Sequence, residues 1–219
     1  DIQRFCARNE VQRVCQWCRS QSTTGVELWN SNLGKEHVKA LADALRINQT
    51  VKLVDLDGNN FGDEGVKALV DAFRANETVT ELCLGRNNFG NEGLKALADA
   101  LRINQTVKIV DLSKNNFGDE GVKALADAFR VNKTIKHVRL GGNNFSNEGL
   151  KALASAMEVN ETITVVNLDE SRMLRTKAIE DIQRFCQRNA AKKKSSRDWE
   201  EMEDDERHYK REFLRNQAQ

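Results

Sequence analysis

Thiols, imidazoles and paired carboxylates are the groups from which catalytic and metal centres are assembled, and here none stands in productive company. Cys15 and Cys18 form a Cys-x-x-Cys pair. That spacing is half of a structural zinc site, and a whole site needs a second pair of ligands. The one nearby thiol, Cys6, falls on what reads as the same helix, so the three are read as buried residues of a capping helix. Cys83 and Cys186 bring the total to five, an odd number at irregular spacing, which argues against a disulfide framework and for a reducing compartment. His37, His137 and His208 are scattered, with no Ser or Cys at a recognisable spacing. The carboxylates recur at matching places along the chain, which suits helix caps and surface pairs better than acid–base work. A glycine-rich phosphate loop followed by Lys-Ser/Thr is absent from the sequence. No catalytic residue, metal ligand set or cofactor is expected, and the chain reads as a binding module rather than an enzyme.

The totals narrow the partners. Lys and Arg number 34 and Asp and Glu 33, a formal net charge of +1. Nucleic-acid and membrane-surface binders need a clustered positive excess, so neither partner is expected. No run approaches the roughly 18 apolar residues of a membrane span. The expected location is cytoplasmic. The chain opens on Asp1 rather than Met and is read as a portion of something longer.

The elements that would position a binding surface come from a repeat. Five units of 28 residues follow one another at 26–53, 54–81, 82–109, 110–137 and 138–165, and a sixth begins at Val166 and decays. Residues 41–52 (LADALRINQTVK) recur letter for letter at 97–108, a second period of two repeats. Each unit reads as strand, turn and helix. Val54-Asp55-Leu56 alternates as a strand does. Asp63 suits the N-cap of the following helix. Val66, Leu69 and Phe73 lie on one helical face, with Ala68 and Ala72 small enough for close packing. Asn76 stands where the helix must stop, and Asn tolerates the left-handed conformation of a C-terminal cap. One such unit cannot bury its apolar face, but stacked copies can. Phe61, Phe89, Phe117 and Phe145 then form a spine, with Leu33 and Met173 at its ends, and Asn59, Asn87, Asn115 and Asn143 form a ladder inside the turns.

The pattern LxxNxFGxEGxKALADALxxNxT, carried by residues 26 to about 175, resembles ribonuclease-inhibitor-type leucine-rich repeats. It is most similar to the repeat domains of nucleotide-binding innate immune sensors. The resemblance implies an α/β fold: a right-handed leucine-rich-repeat solenoid, a horseshoe arc with a parallel β-sheet on the concave side and α-helices on the convex side. It also implies that the concave side holds a protein partner.

Because the repeats are near-copies, the columns in which they differ mark the expected concave surface. Its candidate partner-binding residues are Glu27, Trp29, Leu53, Asp55, Asp57, Glu81, Cys83, Arg86, Ile109, Asp111, Lys114, His137, Arg139, Val165 and Asn167. The N-terminal and central part is acidic, and the C-terminal half is more basic. Trp29 is the aromatic anchor. Lys39, Lys67, Lys95, Lys123 and Lys151, the first four each followed by an Asp four residues on and an Arg three after that along the outer helix face, read as solvated surface. Five Asn-x-Thr sequons begin at Asn48, Asn76, Asn104, Asn132 and Asn160, all at one place in the repeat, where helix termination explains them without sugar.

The ends differ. Residues 1–25 read as an N-terminal capping helix, 26–190 as the solenoid of five full repeats and a degenerate sixth, and 191–219 as a charged C-terminal helix or tail. DIQRFCARN at 1–9 returns as DIQRFCQRN at 181–189, inside the helix of the last repeat. In the tail, Trp199, Met202, Tyr209 and Phe213 could mark a docking helix for a partner over 196–214, and equally the segment reads as a solvated linker. Three functions fit this organisation. The leading one is a cytosolic recognition domain like those of immune sensors. The others are a tropomodulin-like cytoskeletal (actin) capping protein and a Ran-type GTPase activator.

Overall fold

The computed structural model describes residues 24–168 and 176–195. Among them, six strands alternate with six helices. The strands are β1 (Gly25–Glu27), β2 (Leu53–Asp55), β3 (Glu81–Cys83), β4 (Ile109–Asp111), β5 (His137–Arg139) and β6 (Val165–Asn167). The helices are α1 (Lys35–Ile47), α2 (Gly62–Ala75), α3 (Asn91–Ile103), α4 (Asp119–Val131), α5 (Asn147–Val159) and α6 (Lys177–Ser195). All strands pair in parallel, in sequence order, each residue opposite the one 28 places on, as Val54 is opposite Leu82. The strands begin one residue earlier than the alternation suggested, so Leu53 opens β2 and Leu56 lies just past its end.

Each helix packs on the next, so sheet and helices form two continuous layers. Strands in a sheet stand about 4.8 Å apart and packed helices about 8–10 Å apart, so such a stack bends with its sheet on the inner curve. Between the layers lies one core. Leu56, Leu84 and Leu112 fill it from the strand side and Leu69, Leu97 and Leu125 from the helix side, all fully buried. Phe89 stacks on Phe117 with ring centroids 5.8 Å apart, and Phe117 on Phe145 at 6.2 Å. Burying each such ring contributes roughly 1.5–3 kcal/mol.

Two asparagine ladders tie the turns. Asn87 Nδ2 donates to the Leu56 and Gly85 carbonyls at 2.9 and 3.0 Å, and Asn87 Oδ1 accepts from Asn59 N at 2.8 Å. The second ladder uses the sequon asparagines. Asn104 Nδ2 donates to Phe73 O at 2.8 Å and Asn76 O at 3.1 Å, while its Oδ1 accepts from Thr106 N and Val107 N at 2.9 and 2.8 Å. These asparagines are extended rather than left-handed, Asn76 having φ −79 and ψ 127. They end the helix through the side chain, not through the backbone conformation expected of them. Being buried and fully bonded, they are out of reach of a glycosylating enzyme in the folded chain.

Asp63 also departs from expectation. Its Oδ1 accepts from Gly90 N at 2.7 Å and Gly93 N at 2.8 Å, so it caps the helix of the next repeat rather than its own. Asn91 does the same for Gly118 and Gly121, and Asp119 for Ser146 and Gly149. The approach is close: a Cβ on Gly149 would stand 2.8 Å from Asp119 Oδ1. The residue 28 before Asp63 is Lys35, which cannot accept. There Gly62 turns left-handed, φ 63, donates to Asn87 O instead, and α2 begins one residue early.

At the other end, α6 runs on through position 191, where the composition changes. Asn189 takes the ladder place, donating to Asn160 O and Ile163 O at 3.0 and 2.8 Å. Arg188 donates to the carbonyls of Met157, Glu158 and Asn160, closing the last turn of α5. Burial pushes the Cys186 thiol up to about 11, which suits a structural cysteine. Met173, the capping-helix thiols Cys6, Cys15 and Cys18, and the tail residues from Trp199 to Phe213 lie outside the described residues.

Candidate protein-binding surface

Three-residue strands stacked in register place their first and last residues on the open face of the sheet, because the middle residue points to the core. The middle residues Val26, Val54, Leu82, Val110 and Val138 are all buried in the core cluster. The open face therefore carries two rows. One is Leu53, Glu81, Ile109, His137 and Val165. The other is Glu27, Asp55, Cys83, Asp111, Arg139 and Asn167, each opposite the next across the ladder.

The centre of this face is less available than the sequence suggested. Cys83 is 3%, Ile109 8% and Asp111 5% exposed, so these three candidates are shielded by their neighbours on the inner curve. Asp111 is spent internally. Its Oδ2 meets Arg139 Nη1 at 3.0 Å, and its Oδ1 accepts from Ser113 N at 2.9 Å and Ser113 Oγ at 2.6 Å. An ion pair this enclosed fixes the positions of its partners more than it adds stability, since desolvation offsets much of the attraction. Asp57 Oδ1 likewise accepts from Gly85 N at 2.6 Å, and Asp55 Oδ1 from Asp57 N at 3.1 Å. Leu53, Asp55, Asp57, Glu81, His137, Arg139 and Val165 are half-buried.

What remains open lies at the ends and along the strand-to-helix edge. Glu27 and Trp29, the latter 49% exposed, stand at the first repeat, and Asn167 at the last strand. Between them, Arg86 and Lys114 are exposed at the turn. The structure thus brings Arg86 and Lys114 together in adjacent repeats and separates Trp29 from the basic half.

The turn itself explains the projection. Asn30, Arg86 and Lys114 have φ of 51, 54 and 53, and the equivalent Gly58 and Gly142 have 71 and 74. Left-handed backbone costs an L-residue about 1–2 kcal/mol. The sequence carried the signal, since glycine fills this column in two of the five repeats, but column variability alone did not reveal the conformation.

On the outer helix face, lysines pair with glutamates three residues earlier, as Lys67 with Glu64 at 3.0 Å and Lys151 with Glu148 at 2.7 Å. Such solvated pairs contribute little. Among the described residues, no group of three or more His, Cys, Asp or Glu side chains could hold a metal ion, and no helix is long and apolar enough to cross a membrane.

Residues 85–218 match the family model described as the TMOD/LMOD leucine-rich domain, and residues 48–70 match a general leucine-rich-repeat model. Among solved structures, one titled leiomodin-1 actin-binding site 2 (ABS2) overlays with a TM-score of 0.52 at 19% identity, covering 96% of each chain. The tropomodulin C-terminal domain of Caenorhabditis elegans overlays with a TM-score of 0.57 at 14% identity, covering 85% of this chain and 97% of that one. At such identities the overlays speak to the fold. No curated protein sequence matches the chain. The family model favours the cytoskeletal expectation over the immune-sensor one, which gains no support.

Proposed function

The chain belongs to the TMOD/LMOD leucine-rich-domain family, and on that premise we propose that it is an actin-binding repeat module that meets its partner along the open face and strand-to-helix edge of the sheet. The observation that carries this reading is the family match over residues 85–218, more than half the chain. The overlay with the solved structure titled actin-binding site 2 supports it at the level of fold. The surface chemistry is compatible: an aromatic anchor at Trp29, exposed cations at Arg86 and Lys114, and a preformed rigid scaffold beneath them. A cytoskeletal partner would place the protein in the cytoplasm.

Co-sedimentation tests the proposal. The full chain is mixed with filaments assembled from purified actin, at concentrations on the order of 10 µM, and centrifuged. It should enter the pellet saturably, and in an elongation assay it should slow growth at one filament end. A chain left wholly in the supernatant, with elongation unchanged, removes actin as the partner.

A further inference from the structure

One column of the repeat is occupied against its own conformational preference. Positions 30, 58, 86, 114 and 142 are Asn, Gly, Arg, Lys and Gly, and all five have positive φ. Glycine adopts this region without penalty and asparagine tolerates it, whereas a long side chain with a Cβ does not. The fold does not demand a cation there. In the two-repeat period, Lys114 stands where its near-copy has Gly58, and Arg86 stands where its near-copy has Gly142.

The two cations also oppose each other. Their repeats are neighbours, with β3 paired to β4 and Arg86 N donating to Ser113 O at 2.9 Å. The two turns are therefore about one strand spacing apart, roughly 5 Å, where like charges repel. Several other cations of the molecule do have a carboxylate partner: Lys67 has Glu64, Lys95 has Glu92 and Glu120, and Arg139 has Asp111. Among the described residues no carboxylate pairs with Arg86 or Lys114. The stem of Lys114 is held nonetheless. A Cβ at Gly142 would stand 2.9 Å from Lys114 Cγ, so the bare glycine leaves the space that the lysine stem occupies.

We infer that Arg86 and Lys114 form a two-pronged acceptor for neighbouring carboxylates on an acidic segment of the protein partner. Acids three or four residues apart on a helix have Cβ atoms about 5–6 Å apart, which matches the spacing of the prongs. Asp55, Asp57 and Glu81 on the adjoining face disfavour an extended polyanion such as a nucleic-acid backbone, so the acceptor suits a short acidic patch. The inference rests on the reading of the chain as a protein-binding module, and it names the residues that select the partner.

The test uses the full chain and the double variant Arg86→Gly/Lys114→Gly, which restores the residue that the column prefers. Isotope-labelled protein is titrated with a hexaglutamate peptide and followed by amide NMR. Wild type should show shifts centred on residues 85–86 and 113–114, and the variant should lose them. The variant should melt a few degrees higher, because strain and repulsion are relieved. Its affinity for actin filaments should nevertheless fall about tenfold, with a weaker salt dependence. Absent shifts at those amides, or equal shifts in both proteins, overturn the inference, as does actin binding of unchanged affinity in the variant. If wild type does not pellet with actin at all, the actin reading fails, and the hexaglutamate titration still decides the acceptor.

Discussion

Asn104 shows how one side chain can hold two repeats. Its amide satisfies two carbonyls of the preceding unit while its oxygen accepts two backbone N–H groups of its own turn. No apolar residue can do this, and a buried carbonyl left unpaired is costly. Asn104→Ala should therefore lower the unfolding free energy by about 3 kcal/mol, roughly 1 kcal/mol for each of the stronger bonds lost. A denaturant midpoint shift equivalent to under about 1 kcal/mol would show that water replaces the amide. The periodic Asn-x-Thr was plain in the sequence, and so was its structural role. Its means was not: a left-handed cap and a side-chain cap place the same residue at the same position, and only the backbone angles separate them. Burial of Asp111, Cys83 and Ile109 was likewise hidden, because alternation tells which face a residue takes but not how crowded that face becomes on the inner curve of an arc.

Among elements, the junction of helix with helix carries the least expected chemistry. The carboxylate of Asp119 binds the opening turn of α5, one repeat on, through Ser146 and Gly149. Burial opposes its ionisation, but the N–H and hydroxyl of Ser146 and the N–H of Gly149 outweigh that and hold its carboxyl below the usual range. A depressed folded value means that the stabilisation is complete above the unfolded carboxylate pKa, about 4, and is lost as pH falls through the folded one. Asn91 performs the same task without charge in the preceding repeat. Asp119→Asn should therefore retain the hydrogen bonds and melt below wild type at neutral pH. That gap should close as pH drops below about 4. A gap independent of pH would mean that the charge at Asp119 contributes nothing. The sequence displayed the ingredients, an acceptor at 63, 91 and 119 and small residues at 90 and 93, 118 and 121, 146 and 149. A search for caps within one repeat could not find a cap that reaches into the next.

At the scale of the molecule, repetition made the architecture legible: order, register and layer assignment all follow from a 28-residue period and an apolar face that one unit cannot bury alone. Partner identity was less legible. The repeat pattern is shared by modules of different function, and what differs among them is a thin set of exposed side chains. Of the fifteen residues expected to form the site, those still open to a partner concentrate at Trp29 and along the Arg86–Lys114 edge. On the proposed reading this strand-side edge, and not the helical exterior, meets the partner. Hydrogen exchange of the full chain with and without actin filaments tests it most directly. Filament binding should slow exchange at residues 27–31, 85–88 and 113–116 and leave α2 to α4 unchanged. Protection confined to the outer helices, with those turns exchanging as before, would contradict it.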